Sequence, residues 1–189
     1  MKSIRVGHLA LFSAALFLFA TSSAAFAQTG ASDDDKHFVE AALKGGMAEI
    51  ELGRLATQKG ASDDVKMFGQ KMVTDHTRLG EKIKAVAVEI GVKPPDTESA
   101  GGMATKAKLE VLSGKSFDDA YISAMVKAHE DDLQAFKNEA ANGTSPAVKR
   151  AAEQGATVVS EHLQMIRKIA QTHNVSAQNP QQSAGPSGL

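Results

Sequence analysis

Cysteine and tryptophan are missing from this chain, and tyrosine occurs once, as Tyr121. Without cysteine there is no disulfide, no thiolate ligand, no thiol nucleophile and no site for N-terminal lipid modification. Base-stacking aromatics are scarce, and 21 Lys and Arg residues are balanced by 22 Asp and Glu. That balance leaves no basic face for a nucleic acid, and no helical stretch carries the dense Lys/Arg face of a membrane-surface helix. A glycine-rich phosphate loop and a nucleophile elbow are absent as well. Ser160 lies two residues before His162, but residues two apart on a helix face different ways. No catalytic residue is assigned, and the chain reads as a non-enzyme rather than an enzyme.

What is present begins with an export signal. Lys2 and Arg5 precede the apolar run Leu9–Ala20, and Ala25-Phe26-Ala27 fits a small-x-small cleavage site. Residues 1–27 are therefore expected to be a signal peptide, which places the mature protein in the periplasm or outside the cell. An uncleaved anchor is the alternative, but the run is short for the roughly 20 residues of a span, so no stable membrane span is expected after cleavage. Residues 28–32 and 174–189 lack apolar periodicity and are expected to be disordered.

Between them, residues 33–173 read as one domain of four long helices. Ser32 and Asp33–Asp35 supply a cap and a negative first turn. The first buried stripe is then Phe38, Ala42, Gly45, Glu49, Leu52 and Ala56. Gly45-Gly46 suggests close approach by a neighbouring helix or a kink. Lys59-Gly60 ends this helix and Ser62 caps the next, so the two form a tight antiparallel hairpin. The second stripe is Val65, Phe68, Met72, His76, Leu79, Ile83, Val86 and Ile90, closed by Gly91. Periodicity fails from 91 to 115, where Pro94-Pro95 bars helix and only Met103–Ser113 could form a short one. The third helix starts at Ser116 and Asp118 and buries Phe117, Tyr121, Met125, His129, Asp132 or Leu133, and Phe136. The fourth starts at Ser145-Pro146 and buries Val148, Ala152, Gly155, Val159, His162, Met165 or Ile166, and Ile169.

The chain also repeats. At one fixed offset Phe38 meets Tyr121, Gly60 meets Gly143, Ser62 meets Ser145 and Val65-Lys66 meets Val148-Lys149. Beyond the turn the register slips by about one helical turn, aligning Asp75-His76 with Glu161-His162. Two related hairpins and a long crossover describe an all-α, ferritin-like four-helix bundle.

Each apolar stripe carries one ionisable residue: Glu49, His76, His129 and His162. Counted from the hairpin turns, all four fall near mid-bundle, within about two turns of one another. Three imidazoles and a carboxylate are a first set of ligands for one transition-metal ion, Zn, Fe, Mn or Cu. Asp75, Glu130 and Glu161 adjoin the histidines and could hold their second ring nitrogens. A buried polar layer that only fixes helix register is the competing reading. A standard di-iron site is not expected, because Val73 and Val159 stand where the bridging Glu of a Glu-x-x-His step belongs. His37 and His173 sit at helix ends and are expected to be solvated. Met72, Met125 and Met165 share stripes with Val, Phe and Ile and read as core.

Phe38-Val39-x-x-Ala42, Gly45-Gly46-Met47-Ala48-Glu49, Leu52-Gly53-x-Leu55-Ala56, Met72-Val73-Thr74-Asp75-His76-Thr77, Phe117-Asp118-x-x-Tyr121, His129 and Glu161-His162 together resemble the bacterial exported family known as domain of unknown function 4142. The resemblance spans about Asp34 to Thr172. It implies a periplasmic or envelope-associated helical bundle without an established activity, whose motif positions correspond to Glu49, His76, His129 and His162. Two functions remain open: a transition-metal binder, or an envelope or stress protein acting through surface contacts with an envelope partner.

Overall fold

The computed structural model describes residues 30–176, so the expected signal peptide and residues 177–189 lie outside it. Five helices and no strand occur among the described residues: α1 (Asp33–Lys59), α2 (Asp63–Glu89), α3 (Ala100–Glu110), α4 (Gly114–Asn142) and α5 (Pro146–His173). No helix among them is long and apolar enough to cross a membrane.

α1 packs on α2 and α4 on α5, and the two pairs join through α2 against α5 and α1 against α4. Polar contacts at the helix ends fix the directions. The α1–α2 turn meets the start of α4, where Ala61 and Ser62 N–H donate to the two oxygens of Asp118, each at 2.9 Å. The α4–α5 turn meets the start of α1, where Thr144 N–H (2.9 Å) and Ser145 N–H (3.2 Å) donate to Asp35. His173 at the end of α5 lies 3.0 Å from Asp64 at the start of α2. Thus α1 and α5 run one way, and α2 and α4 the other.

Asp35 and Asp118 are themselves equivalent positions of the repeat, and each holds the turn of the opposite hairpin. A buried carboxylate here satisfies turn amides that would otherwise lack acceptors. Against the upward pull of burial, hydrogen bonds from Thr144 and Ser32 hold Asp35 well below the usual carboxylate range. The same residue completes a capping box with Ser32.

The crossover is a strap along the outside of α1, running in the same direction. Ser99 N–H donates to Lys44 O (3.1 Å), Gly102 sits on Ala48, and Lys106 pairs with Glu51 at 3.0 Å. Leu109 is buried in the core.

Several local expectations are corrected. α4 begins at Gly114 with Ser113 in the cap position, and Asp118 turns inward to the opposite hairpin instead of capping its own helix. Ser62 occupies the cap position of α2, but its hydroxyl makes no capping bond. In the first half of α1 the buried stripe is Val39 and Leu43, one residue on from Phe38 and Ala42. Phe38 is half-buried and packs edge-on against Phe136, with ring centroids 5.2 Å apart. Ile166 is buried and Met165 is 38% exposed, which settles that alternative. His173 is not solvated, being tied to Asp64. Gly45 and Gly46 bring no helix close, since a Cβ at either would meet nothing within 4 Å. Close approach occurs one layer on, where a Cβ at Gly53 would lie 2.7 Å from Gly69 O and one at Gly69 2.6 Å from Gly53 O.

The core falls into two clusters. One, at the α1–α2 turn end, includes Leu52, Phe68, Met72, Phe117, Tyr121, Met125 and Ile166. The other, toward the α4–α5 turn, includes Val39, Leu43, Leu79, Ile83, Phe136 and Val159. The ionisable layer lies between them.

Candidate metal centre

Helix geometry places the four layer residues inward because each replaces an apolar residue on its stripe. All are buried: His129 and His162 fully, His76 2% and Glu49 6% exposed. One ring nitrogen from each of His76, His129 and His162 lies within 4.8 Å of the other two. His76 Nε2 is 3.2 Å from His162 Nδ1. Two nitrogens on one ion at about 2.0–2.1 Å each can stand at that separation.

The outward nitrogens are each held by an oxygen. His129 Nδ1 donates to Met125 O at 2.9 Å, which leaves its Nε2 as an inward lone pair with no hydrogen-bond partner. His162 Nε2 donates to Asp75 at 2.9 Å, so its Nδ1 lone pair also faces inward. His76 Nδ1 lies 3.0 Å from Glu49 Oε2. The tautomer of His76 depends on what shares the centre. Without a cation, Nε2 must donate to His162, because two lone pairs facing each other at hydrogen-bond distance repel. With a cation, both lone pairs bind it and Nδ1–H is free to donate to Glu49.

Burial, and then the proximity of His162 and His129, pushes His76 well below the normal imidazole range. Burial likewise lowers His129 to about 4, with His162 adding to the effect, and lowers His162 despite its bond to Asp75. All three are therefore neutral at pH 7, which is the ligand form. The site fits a metal in donor type, protonation and anchoring.

Glu49 is better placed as the anchor of His76 than as a fourth donor. It is not among the side chains whose donor atoms cluster within 4.8 Å, although its Oε1 approaches His129 Nε2 at 3.6 Å and has no hydrogen-bond partner. Asp75 anchors a histidine, but that histidine is His162, across the bundle, and not its neighbour His76. Lys71, 2.7 Å from Asp75, and His162 hold this carboxyl low against the effect of burial. Glu130 instead faces Arg167 at 2.6 Å, and Glu161 is exposed, so neither supports the site.

One residue was missed. Asp132, half-buried on α4, sits beside Glu49 and is raised to about 6 by burial. Burial and the charge of Asp132 raise Glu49 well above the normal carboxyl range. Glu49 and Asp132 are again equivalent positions of the repeat, so the repeat held the signal that the stripe left as Asp132 or Leu133.

A family model comparison covers most of the chain, matching residues 20–169 to the domain of unknown function DUF4142. The chain belongs to this DUF4142 family. No curated protein matches it in sequence. Among solved structures, it resembles a secreted DUF305 protein from Streptomyces coelicolor (TM-score 0.65, 13% identity, 77% of this chain and 97% of that one). It also resembles CopM, solved in a Cu(I)-bound form (0.61, 16%, 73% and 96%). A third neighbour is a two-domain protein from Anabaena variabilis with DJ-1-like and ferritin-like domains (0.59, 18%, 84% and 43%). At these identities the likeness concerns the fold.

Proposed function

We propose that this DUF4142 protein is an exported, ferritin-like helical bundle that binds one transition-metal ion through His76, His129 and His162. Glu49 and Asp75 orient the first and last of these rings. The observation that carries the reading is His129. Its Nδ1–H is committed to Met125 O, so a fully buried Nε2 lone pair faces two other imidazoles with no donor within hydrogen-bond distance, Glu49 Oε1 standing off at 3.6 Å. A purely structural layer would satisfy His76 and His162 with each other and leave this nitrogen unmatched, a cost of about 1–3 kcal/mol. Neutral imidazoles favour zinc or copper over magnesium or calcium. The Cu(I)-bound state of CopM supports a metal role for the fold, and the up-down-down-up order of the long helices supports the ferritin-like arrangement. Export rests on the N-terminal segment and agrees with the secreted neighbour. A role as a metal-free envelope interaction protein is disfavoured by the composition of the layer.

Tag-free protein, stripped and then titrated at pH 7 with Zn(II) or with Cu(I) under reducing conditions, should retain one ion per chain after desalting. His129→Ala and His76→Ala should retain none while keeping their helical circular dichroism. A wild type that takes up neither ion would overturn the proposal.

A further inference from the structure

We infer that the cavity between α1, α2 and α4 is the route by which the cation reaches the three-histidine centre, with Asp132 and Glu49 as the carboxylates that receive it. This rests on the metal-binding reading above. The cavity, of about 90 Å³, is lined by Gly45, Gly46 and Gly80 at half-buried positions and by Glu49, His76 and Asp132 within. It has room for a few water molecules and meets the histidine layer only at His76.

Two observations set this space apart from a packing flaw. First, none of the three glycines is needed by the backbone or by a neighbour. None has a positive φ, and a Cβ at each would meet nothing within 4 Å. Each nevertheless forgoes up to about 1 kcal/mol of helix stability relative to alanine. Gly53, Gly69 and Gly155, by contrast, are each pressed against backbone or the Phe136 ring. Second, Glu49, which lines the cavity, is more than nine-tenths buried and its Oε1 is unpartnered. Asp132 has no role in holding any histidine, yet it lies beside Glu49 on the same cavity wall.

The chemistry selects the traveller. The lining carries two acidic side chains and no lysine or arginine, a setting that suits a cation and not an anion. A second opening near the layer lies over Asp75 and is lined by Lys71, Arg78 and Lys82 against Asp75 and Glu161. Basic side chains outnumber acidic ones there, and Asp75 is occupied by Lys71 and His162.

The test is stopped-flow uptake of Zn(II) by stripped protein, read with a competing chromophoric chelator, alongside stoichiometry at equilibrium. Gly46→Leu and Gly80→Leu, which fill the cavity from opposite walls, should slow uptake by about tenfold or more while retaining one ion per chain. Gly101→Leu, on the exposed face of α3, is the control and should match wild type. Unchanged rates in both cavity variants overturn the route and leave the metal site standing. Loss of stoichiometric binding in both also overturns it, since the cavity would then be part of the binding site. If leucine unfolds the bundle, the triple change Gly45→Ala, Gly46→Ala and Gly80→Ala, whose Cβ atoms have free space, supplies the rate on the same criterion. A wild type that binds no Zn(II) at all overturns the metal reading itself, and the route with it.

Discussion

The two hairpins are alike at their ends and unlike in their middles. At the ends, Asp35 and Asp118 occupy equivalent positions, and each accepts hydrogen bonds from two successive turn amides of the other hairpin. In the middle, Glu49 is matched by Asp132 and His76 by His162, but His129 has Gly46 as its equivalent. One side of the layer is therefore filled by an imidazole and the other side opens into a cavity. The correspondence keeps what both halves need to fold and departs where only one centre is built. Even the ends differ in one respect. Glu139 lies beside Asp35, whereas its equivalent at the other end is Ala56.

The largest expected effect breaks the likeness at the ends. Asp118→Ala removes the acceptors for Ala61 and Ser62 N–H and should cost about 3 kcal/mol. For a domain of this size that is a drop in Tm of roughly 10 °C. Asp35→Ala, which also removes the bonds to Ser32, should cost at least as much by thermal melting. Equal melting of either variant and wild type would show that the clamps are dispensable.

A smaller effect distinguishes the two ends by pH. Burial, and then the hydrogen bond and charge of Asp35, raises Glu139 from 4.5 to about 7. The folded chain then holds a proton that the unfolded chain has lost. The contribution of Glu139 to stability is complete below about pH 4.5 and disappears as pH rises through about 7. Asp132 and Glu49 act in the same direction, while the three lowered histidines act in the opposite one, so the whole-protein profile is a sum. The difference between wild type and Glu139→Gln isolates the single group. Wild-type Tm should fall relative to the variant between about pH 5 and 8, a trend with no counterpart at Ala56, the equivalent position of the other end. Parallel curves for wild type and Glu139→Gln would remove the distinction.

The smallest effects sharpen the contrast between glycines. Gly45→Ala should stabilise α1 by up to about 1 kcal/mol, because its Cβ has open space. Gly53→Ala should destabilise by a similar or larger amount, because its Cβ would meet the α2 backbone. Chemical denaturation reads both, and a shared sign would contradict the packing described.

The long helices, the caps at Ser32 and Ser145 and the three histidines were legible because each depends on local spacing: helical periodicity, Ser and Gly at the ends, and a polar residue on an apolar stripe. What was not legible depends on contacts between distant segments. Asp118 looks like a helix cap until the opposite turn is seen beside it. Asp75 adjoins His76 in sequence but serves His162 across the bundle. Gly45-Gly46 has the pattern of a contact and turns out to face space, a difference carried entirely by the neighbouring helices. Asp132 was the exception, since the repeat that aligns Gly60 with Gly143 also aligns it with Glu49.

The reciprocal hold of Asp35 and Asp118 has a consequence for modularity. Each hairpin carries the acceptor for its twin's turn and none for its own. A half-length chain ending before the crossover would expose Ala61 and Ser62 N–H with no carboxylate to receive them, and would leave Asp35 without the turn it binds. The bundle cannot be divided at its most obvious seam: neither half of the repeat is a self-contained unit, and the partner each requires is the other.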